Sequence, residues 1–513
     1  MKLQAPNISD GYKISHAQSY NPKTTQVISN FTPRNFGYAR HIPEFFDGKV
    51  VYFGLQYAIK EYLINQWNDT FFNKPKDEVI NKYARRINNY LGRGKADSMI
   101  ISMAALHDLG YLPLEIKSLP EGSKVNAGIP VFTIKNTHSD FPWITNYVET
   151  VLSATIWPMM NAASISEQYY KLSKHFGALT GASEEYWLPF ANHNFSFRGM
   201  RGVEDGILSG AAHLLFSKGT DTLPSIDFLE DYYNADSDKE LIGCSVNASE
   251  HATVTQAIAL LGSEDAAFNH FITKLYPTGI FSYVSDSVDY WKLLSEIVPA
   301  NKDVILARQP DHNGMPACIT FRPDSSPKTP LEIICGDPDA EIDSPENLGT
   351  LQLLWNTFGG DEVLGSTGKK YRAIDGHVKI IYGEAISLEM ARAIYTRMES
   401  LGWSVSNVLF GVGSWAFLEQ SSRDSYGIAM KATHSTVDGL AVEMSKSPKT
   451  SSFKKSAKGL LRVTFDGDLS KFVLHDCQTA NQEKQGLLER IFFNSKMIKE
   501  TSVSEVRTRL GTN

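Results

Sequence analysis

The chain has 513 residues, enough for more than one domain and a sizeable core. With 42% hydrophobic and 21% charged residues it has the composition of a globular protein, and a net charge of -7 argues against a general nucleic-acid binder. The four cysteines, Cys244, Cys318, Cys335 and Cys477, lack the close spacing of a zinc or redox motif. The start, MKLQAPNISDGYK, has no apolar signal core, and no stretch reaches membrane-span length. These features predict a cytoplasmic protein that binds neither membrane nor nucleic acid.

Residues 1–60 are mixed, with Pro and Asn turns around TTQVISNFTPR and KVVYFGLQY. The runs YLPLEIKSLP and IPVFTIKN read as strands, and a helix is predicted from near Trp143 through ITNYVETVLSATIW. This first part, 1–188, reads as an α+β region with an antiparallel sheet.

From about residue 190 strand-like and helix-like runs alternate, the signature of parallel βα units. Four strands share one grammar. GIFSYV ends on Ser285-Asp286-Ser287, ACITF on Arg322-Pro323-Asp324, VKIIY on Gly383-Glu384, and NVLF on Gly411-Val412-Gly413-Ser414. After the third strand comes a helix capped by Ser387, with Leu388, Ala391, Ile394, Met398 and Leu401 on one face and Gly402 at its stop. Strands that each end on charge or glycine predict an α/β barrel with one shared site at their C-terminal ends. Residues 189–428 are assigned to it. The segment 335–377 reads as an acidic loop, a short helix and a basic turn. In the last segment, 429–513, RVTFDG and KFVLHD read as strands returning to the first region.

Arg198, Arg201, Arg322 and Arg423, with Lys431, Lys446 and Lys454 farther on, suit phosphate or diphosphate. Glycines at strand ends let backbone N–H groups approach phosphate oxygens. Asp286, Asp289, Asp324 and Glu384 could hold ribose hydroxyls or the waters of Mg²⁺, which binds through one or two carboxylates plus substrate phosphates. A phosphorylated sugar therefore fits better than an apolar ligand, although each charge alone also reads as solvated surface. GVGSWA matches a dinucleotide-binding turn but lacks a second strand with an acidic residue at the right distance, so cradling one phosphate is the simpler use. His251 is placed in the first turn of the helix ATVTQAIALLG, with Ser249 as its cap. There the helix end favours an anion and a neutral imidazole.

DGYKISH, YFGLQY, YLPLEIKSLPEG, WITNYVET, HNFSFRG, KGTDT, SVNASEH, VSDS, RPDS and SSRDSYGIAMKAT together resemble the nicotinamide phosphoribosyltransferase family of type II phosphoribosyltransferases. The specificity lies in their order and spacing over essentially the whole chain. The resemblance implies a distorted α/β barrel beside a β-rich domain built from both chain ends. It implies the joining of nicotinamide to 5-phosphoribosyl-1-diphosphate with Mg²⁺, coupled ATP hydrolysis through a phosphohistidine, and a head-to-tail homodimer with shared sites. It places Phe195 under the pyridine ring, with Tyr12 of the partner closing the sandwich. Asp221 would accept from the carboxamide, with Arg198 and Arg322 at the amide oxygen and the diphosphate. Pro323, Asp324 and Asp286 would lie at the ribose or metal waters. Gly383, Glu384, Gly413 and Ser414 would surround the 5′-phosphate. His251 would be the phosphorylated residue, and Arg34, Arg423, Lys431 and Lys446 would reach phosphates across the interface.

Three positions depart from the family pattern: Glu384 for aspartate, Ser414 followed by Trp415 in a glycine-rich turn, and Ser326 for glycine. A nicotinate phosphoribosyltransferase and a non-catalytic binding homologue are the alternatives.

Overall fold

The computed structural model describes residues 3–323, 328–419, 421–445 and 456–512. Asp324, Ser326, Lys446 and Lys454 lie outside the described residues.

Seven parallel strands form the central sheet. In chain order they are β1 (Asn192–Asn194), β2 (Gly219–Thr220), β3 (Asn247–Ala248), β4 (Ile280–Val284), β5 (Cys318–Arg322), β6 (Val378–Tyr382) and β7 (Val408–Val412). Their order across the sheet is β2-β1-β7-β6-β5-β4-β3. The four long strands are buried at nearly every position, as strands covered on both faces must be. The two edges of the sheet meet. Cys244, three residues before β3, accepts from Thr220 N–H at 2.9 Å and donates its own N–H to Lys218 O at 2.7 Å. The sheet is thus a barrel closed at one seam by an isolated bridge.

Helices pack outside the barrel. Leu388–Ser400 buries Leu388, Ala391, Ile394 and Met398, and Ser387 Oγ accepts from Met390 N–H at 3.1 Å. This is the stripe and the cap that the sequence predicts. The helix at Trp143 is longer than its signal. A first turn, Ile144–Tyr147, leads into Glu149–Thr180, a 32-residue helix that continues through Pro158. Burial sustains it. Val151, Leu152, Ile156 and Met160 face one core, and Met159, Ala162, Ala163 and Tyr169 face the other.

A second, antiparallel seven-stranded sheet draws Thr24–Thr32, Leu114–Ser118 and Phe132–Asn136 from the first part of the chain. Ala429–Val437, Leu440–Glu443, Glu489–Phe493 and Lys496–Met497 join it from the last part. RVTFDG and KFVLHD are strands that return to the first region, but as a separate hairpin, Leu460–Asp466 paired with Lys471–Gln478, rather than as members of this sheet. Val463 still reaches the adjacent core, so apolar periodicity marked these strands without revealing their partner.

Candidate active site

Parallel strands bring all their C-terminal ends to one rim. Each of the seven delivers a distinctive group there: Phe195 after β1, Asp221 after β2, Ser249 and His251 after β3, Ser285 and Asp286 after β4, Arg322 closing β5, Gly383 after β6 and Gly413 after β7. Backbone pairing continues past the strands and fixes these residues. Phe195 N–H donates to Val412 O, Asp221 N–H to Asn194 O, Ser249 N–H to Ser282 O and Ser285 N–H to Arg322 O, each at 2.9 Å.

Phe195 packs one edge of its ring against the neighbouring strand ends. A β-carbon at Gly383 would stand 2.7 Å from its Cδ2, and one at Gly411 closer still. Glycine at both positions is what lets an aromatic ring cover the rim. Beside it, Asp221 Oδ1 accepts from His193 Nε2–H at 2.9 Å and from Ser245 Oγ at 2.8 Å. Burial pushes this carboxyl up, but the His193 bond and charge, Ser245 and the nearby Arg322 outweigh it and hold Asp221 below the usual carboxylate range. Both bonds fall on Oδ1, which leaves Oδ2 as an acceptor for a ligand.

Arg322 is held at both ends. Its N–H donates to Ser285 Oγ at 3.0 Å, and its Nη2 donates to the Ser249 carbonyl at 2.7 Å. Ser249 therefore does not cap the next helix. Its Oγ accepts from Val284 N–H at 2.9 Å, and the cap of His251–Leu261 is Glu250, in a capping box with Thr253. The strand ladder claims Ser249 before the helix can. His251 opens that helix, half exposed, with Nε2 3.1 Å from Oδ1 of Asp286. Asp289 Oδ1 accepts from Lys292 N–H at 3.0 Å as the cap of a short helix, and Asp289 is exposed. Among the described residues no group of three or more His, Cys, Asp or Glu is placed to hold a metal ion.

The anion-binding candidates fall around this rim and on the antiparallel sheet. Arg198 is exposed on a turn following Phe195, and Gly199 backs directly onto Ser414, which gives that unexpected side chain its space. Arg201 bonds the Ser421 carbonyl at 3.0 Å and lies over the Trp157 ring. Glu384 is exposed in a tight turn where Ala385 takes a left-handed φ of 53°. Arg34 donates to Gly427 O at 2.8 Å; burial and then the Arg423 guanidinium lower its proton affinity, so two arginines stand side by side. Lys431 lies on strand Ala429–Val437 with its Nζ on the Met430 carbonyl. Tyr12 projects from a short 3₁₀ turn, 63% exposed, under the Lys13 ammonium. Pro323 directly follows β5.

Sequence reasoning named neither His193 nor Ser245. The available signal was spacing, since His193 and Phe195 are two apart on one strand and so share a face.

The rim of this parallel α/β barrel thus gathers an aromatic ring, Phe195, a carboxylate, Asp221, and a tethered arginine, Arg322. Residues 190–495 match the nicotinate phosphoribosyltransferase (NAPRTase) family. The chain is 43% identical, over 99% of its length and 97% of the relative's, to a nicotinamide phosphoribosyltransferase of Acinetobacter baylyi. It is 29% identical, over 97% of its length and 96% of the relative's, to a nicotinamide phosphoribosyltransferase of Xanthomonas campestris. Its fold is similar to that of the nicotinate-nucleotide pyrophosphorylase from Pyrococcus furiosus, with a TM-score of 0.54, 13% identity, and coverage of 99% of this chain and 95% of that one. The chain belongs to the NAPRTase family.

Proposed function

We propose that the protein is a pentosyltransferase that joins nicotinamide to 5-phosphoribosyl-1-diphosphate, giving nicotinamide mononucleotide and diphosphate, a salvage step in NAD synthesis. The observation that carries this reading is the Phe195 platform flanked by Asp221, whose Oδ2 is free, and by Arg322. A ring stacked on Phe195 would offer its carboxamide N–H to Asp221 and its carbonyl to Arg322. The full-length relatives named for nicotinamide support the same substrate.

In the reaction the pyridine nitrogen's lone pair forms the bond to C1 of the ribose as the C1–O bond to diphosphate breaks, and the electron pair leaves with the diphosphate. The nitrogen is already a nucleophile, so no general base is needed. Arg198, Arg322 and His251 would stabilise the leaving diphosphate, and positioning on Phe195 supplies alignment. Ribose and 5′-phosphate would lie against Pro323, Asp324, Gly383, Glu384, Gly413 and Ser414. The sugar diphosphate would enter with Mg²⁺, which adds charge stabilisation of the leaving group. The residues present suit an ion held chiefly by substrate oxygens, because Asp286 shares Oδ1 with His251 and Asp289 with a helix end.

ATP coupling would run through His251. With its Nε2 3.1 Å from Oδ1 of Asp286, the ring would use its other nitrogen for phosphoryl transfer. Tyr12, Arg34, Arg423, Lys431 and Lys446 would complete the site of a partner subunit in a homodimer. Four cysteines without a disulfide fit the cytoplasm. The amide is preferred over the acid because Asp221 is an acceptor beside the platform. The test is to incubate the protein with nicotinamide, 5-phosphoribosyl-1-diphosphate and Mg²⁺ and to look for the mononucleotide by mass. No mononucleotide in the presence of all three refutes the reading.

A further inference from the structure

His193 leaves β1 on the same face as Phe195, and the two rings meet edge to face with centroids 5.1 Å apart. Its side chain is only 12% exposed, whereas that of Asp221, its partner, is 50% exposed. The imidazole is thus the fixed member of the pair and the carboxylate the one offered to solvent. Two donors, His193 Nε2–H and Ser245 Oγ–H, converge on Oδ1. Behind the imidazole stands Gly219, where a β-carbon would come within 2.6 Å of Nδ1. The ring is enclosed by Phe195, Asp221 and the Gly219 backbone.

A carboxylate on a half-exposed Asp ordinarily samples several rotamers, and a ligand that needs one of them must bear that ordering cost. Here the cost is met before the ligand arrives. We propose that His193 is a positioning residue that holds Asp221 with Oδ2 presented to the substrate carboxamide. Gly219 is the wall that keeps His193 in place. This proposal rests on the amide-substrate reading above. His193 does not touch the reacting atoms; it acts through Asp221. The Asp221–amide bond would exist both in the bound complex and in the transition state, so its loss raises KM and leaves kcat nearly unchanged.

The test is steady-state kinetics with nicotinamide as the varied substrate. His193→Leu should raise KM about tenfold, the factor that corresponds to 1.4 kcal/mol, with kcat within about twofold. His193→Gln carries an N–H donor near the position of Nε2 and should bring KM back to within about threefold of wild type. Gly219→Ala should raise KM as His193→Leu does, since the backbone at Gly219 is not in the left-handed region and the added methyl acts on the imidazole. It should add nothing in the His193→Leu background. A wild type that is active on nicotinamide with KM unchanged in His193→Leu overturns the role of His193 and leaves the activity standing. Equal impairment of the Leu and Gln variants also overturns it, because only one of them lacks the donor. If His193→Leu does not fold, the same KM-against-kcat split in Gly219→Ala decides, and an unchanged KM there refutes the proposal. A wild type that makes no mononucleotide refutes the activity itself, and the positioning role falls with it.

Discussion

Replacing Asp221 with serine should abolish the choice between nicotinamide and nicotinate. The amide offers two N–H donors, and an ionised aspartate can only accept. Nicotinate would instead set a second anion against Asp221. At about 3 Å and an effective dielectric near 20, two unit charges repel by roughly 5 kcal/mol. The Asp221 side chain is 50% exposed, the His193 and Ser245 donors already bond its Oδ1, and the Arg322 cation lies close by, so solvent and these groups remove much of that. Even about a quarter of the full repulsion, near 1.4 kcal/mol, is a tenfold preference. Serine keeps a hydroxyl that can donate or accept, and it carries no charge. The assay compares kcat/KM for nicotinamide and for nicotinate in wild type and in Asp221→Ser. Wild type should favour the amide by about tenfold or more, and the variant should lose most of that ratio. Equal use of both substrates by wild type, or an unchanged ratio in the variant, would place selectivity elsewhere on the rim.

Gly411→Ala should drive Phe195 off its bed, with a stability cost of about 1–3 kcal/mol and a kcat/KM drop of at least about tenfold, read by denaturant melts and kinetics. Inactive Arg198→Ala and Arg423→Ala chains, mixed as dimers, should regain activity if each site takes residues from two subunits; mixed dimers that stay inactive would refute sharing. γ-Labelled ATP should leave an acid-labile, base-stable label on wild type and none on His251→Ala, and a label that survives the substitution rules that residue out as acceptor. His213 is held down to about 4, chiefly by burial and also by the nearby His193, so the unfolded chain takes up a proton first as the pH falls. Its contribution is complete above about pH 6.5 and is lost toward pH 4, so urea melts should show wild type losing on the order of 3 kcal/mol more than His213→Gln over that window.

The long barrel strands were legible because β4 to β7 are five-residue apolar runs with abrupt polar ends. The other three strands were not. Asn192–Asn194, Gly219–Thr220 and Asn247–Ala248 are two or three residues long and mostly polar, and they extend only because longer neighbours pair with them. Yet they deliver Phe195, Asp221 and Ser249. Those positions stood out by their motifs, and their neighbours His193 and Ser245 did not stand out at all. The reading of Ser249 as a cap failed for a related reason: a serine before a helical run is a cap only if no strand claims its hydroxyl, and that is a tertiary fact. The continuation of the 149–180 helix through Pro158 likewise depends on two cores gripping its opposite ends.

The seam between β2 and β3 couples ligand and barrel. Among its long strands the hoop is riveted; β4 and β5 pair at five successive positions. At the seam it is latched, by two backbone bonds at Cys244 and by the Ser245 hydroxyl reaching across to Asp221. The latch is the part of the hoop with the least backbone pairing, so it is where opening costs least. The residue proposed to recognise the ligand is therefore also half of the latch. Any molecule that bonds Asp221 in its latched position favours the shut hoop by the same free energy with which the shut hoop favours that molecule.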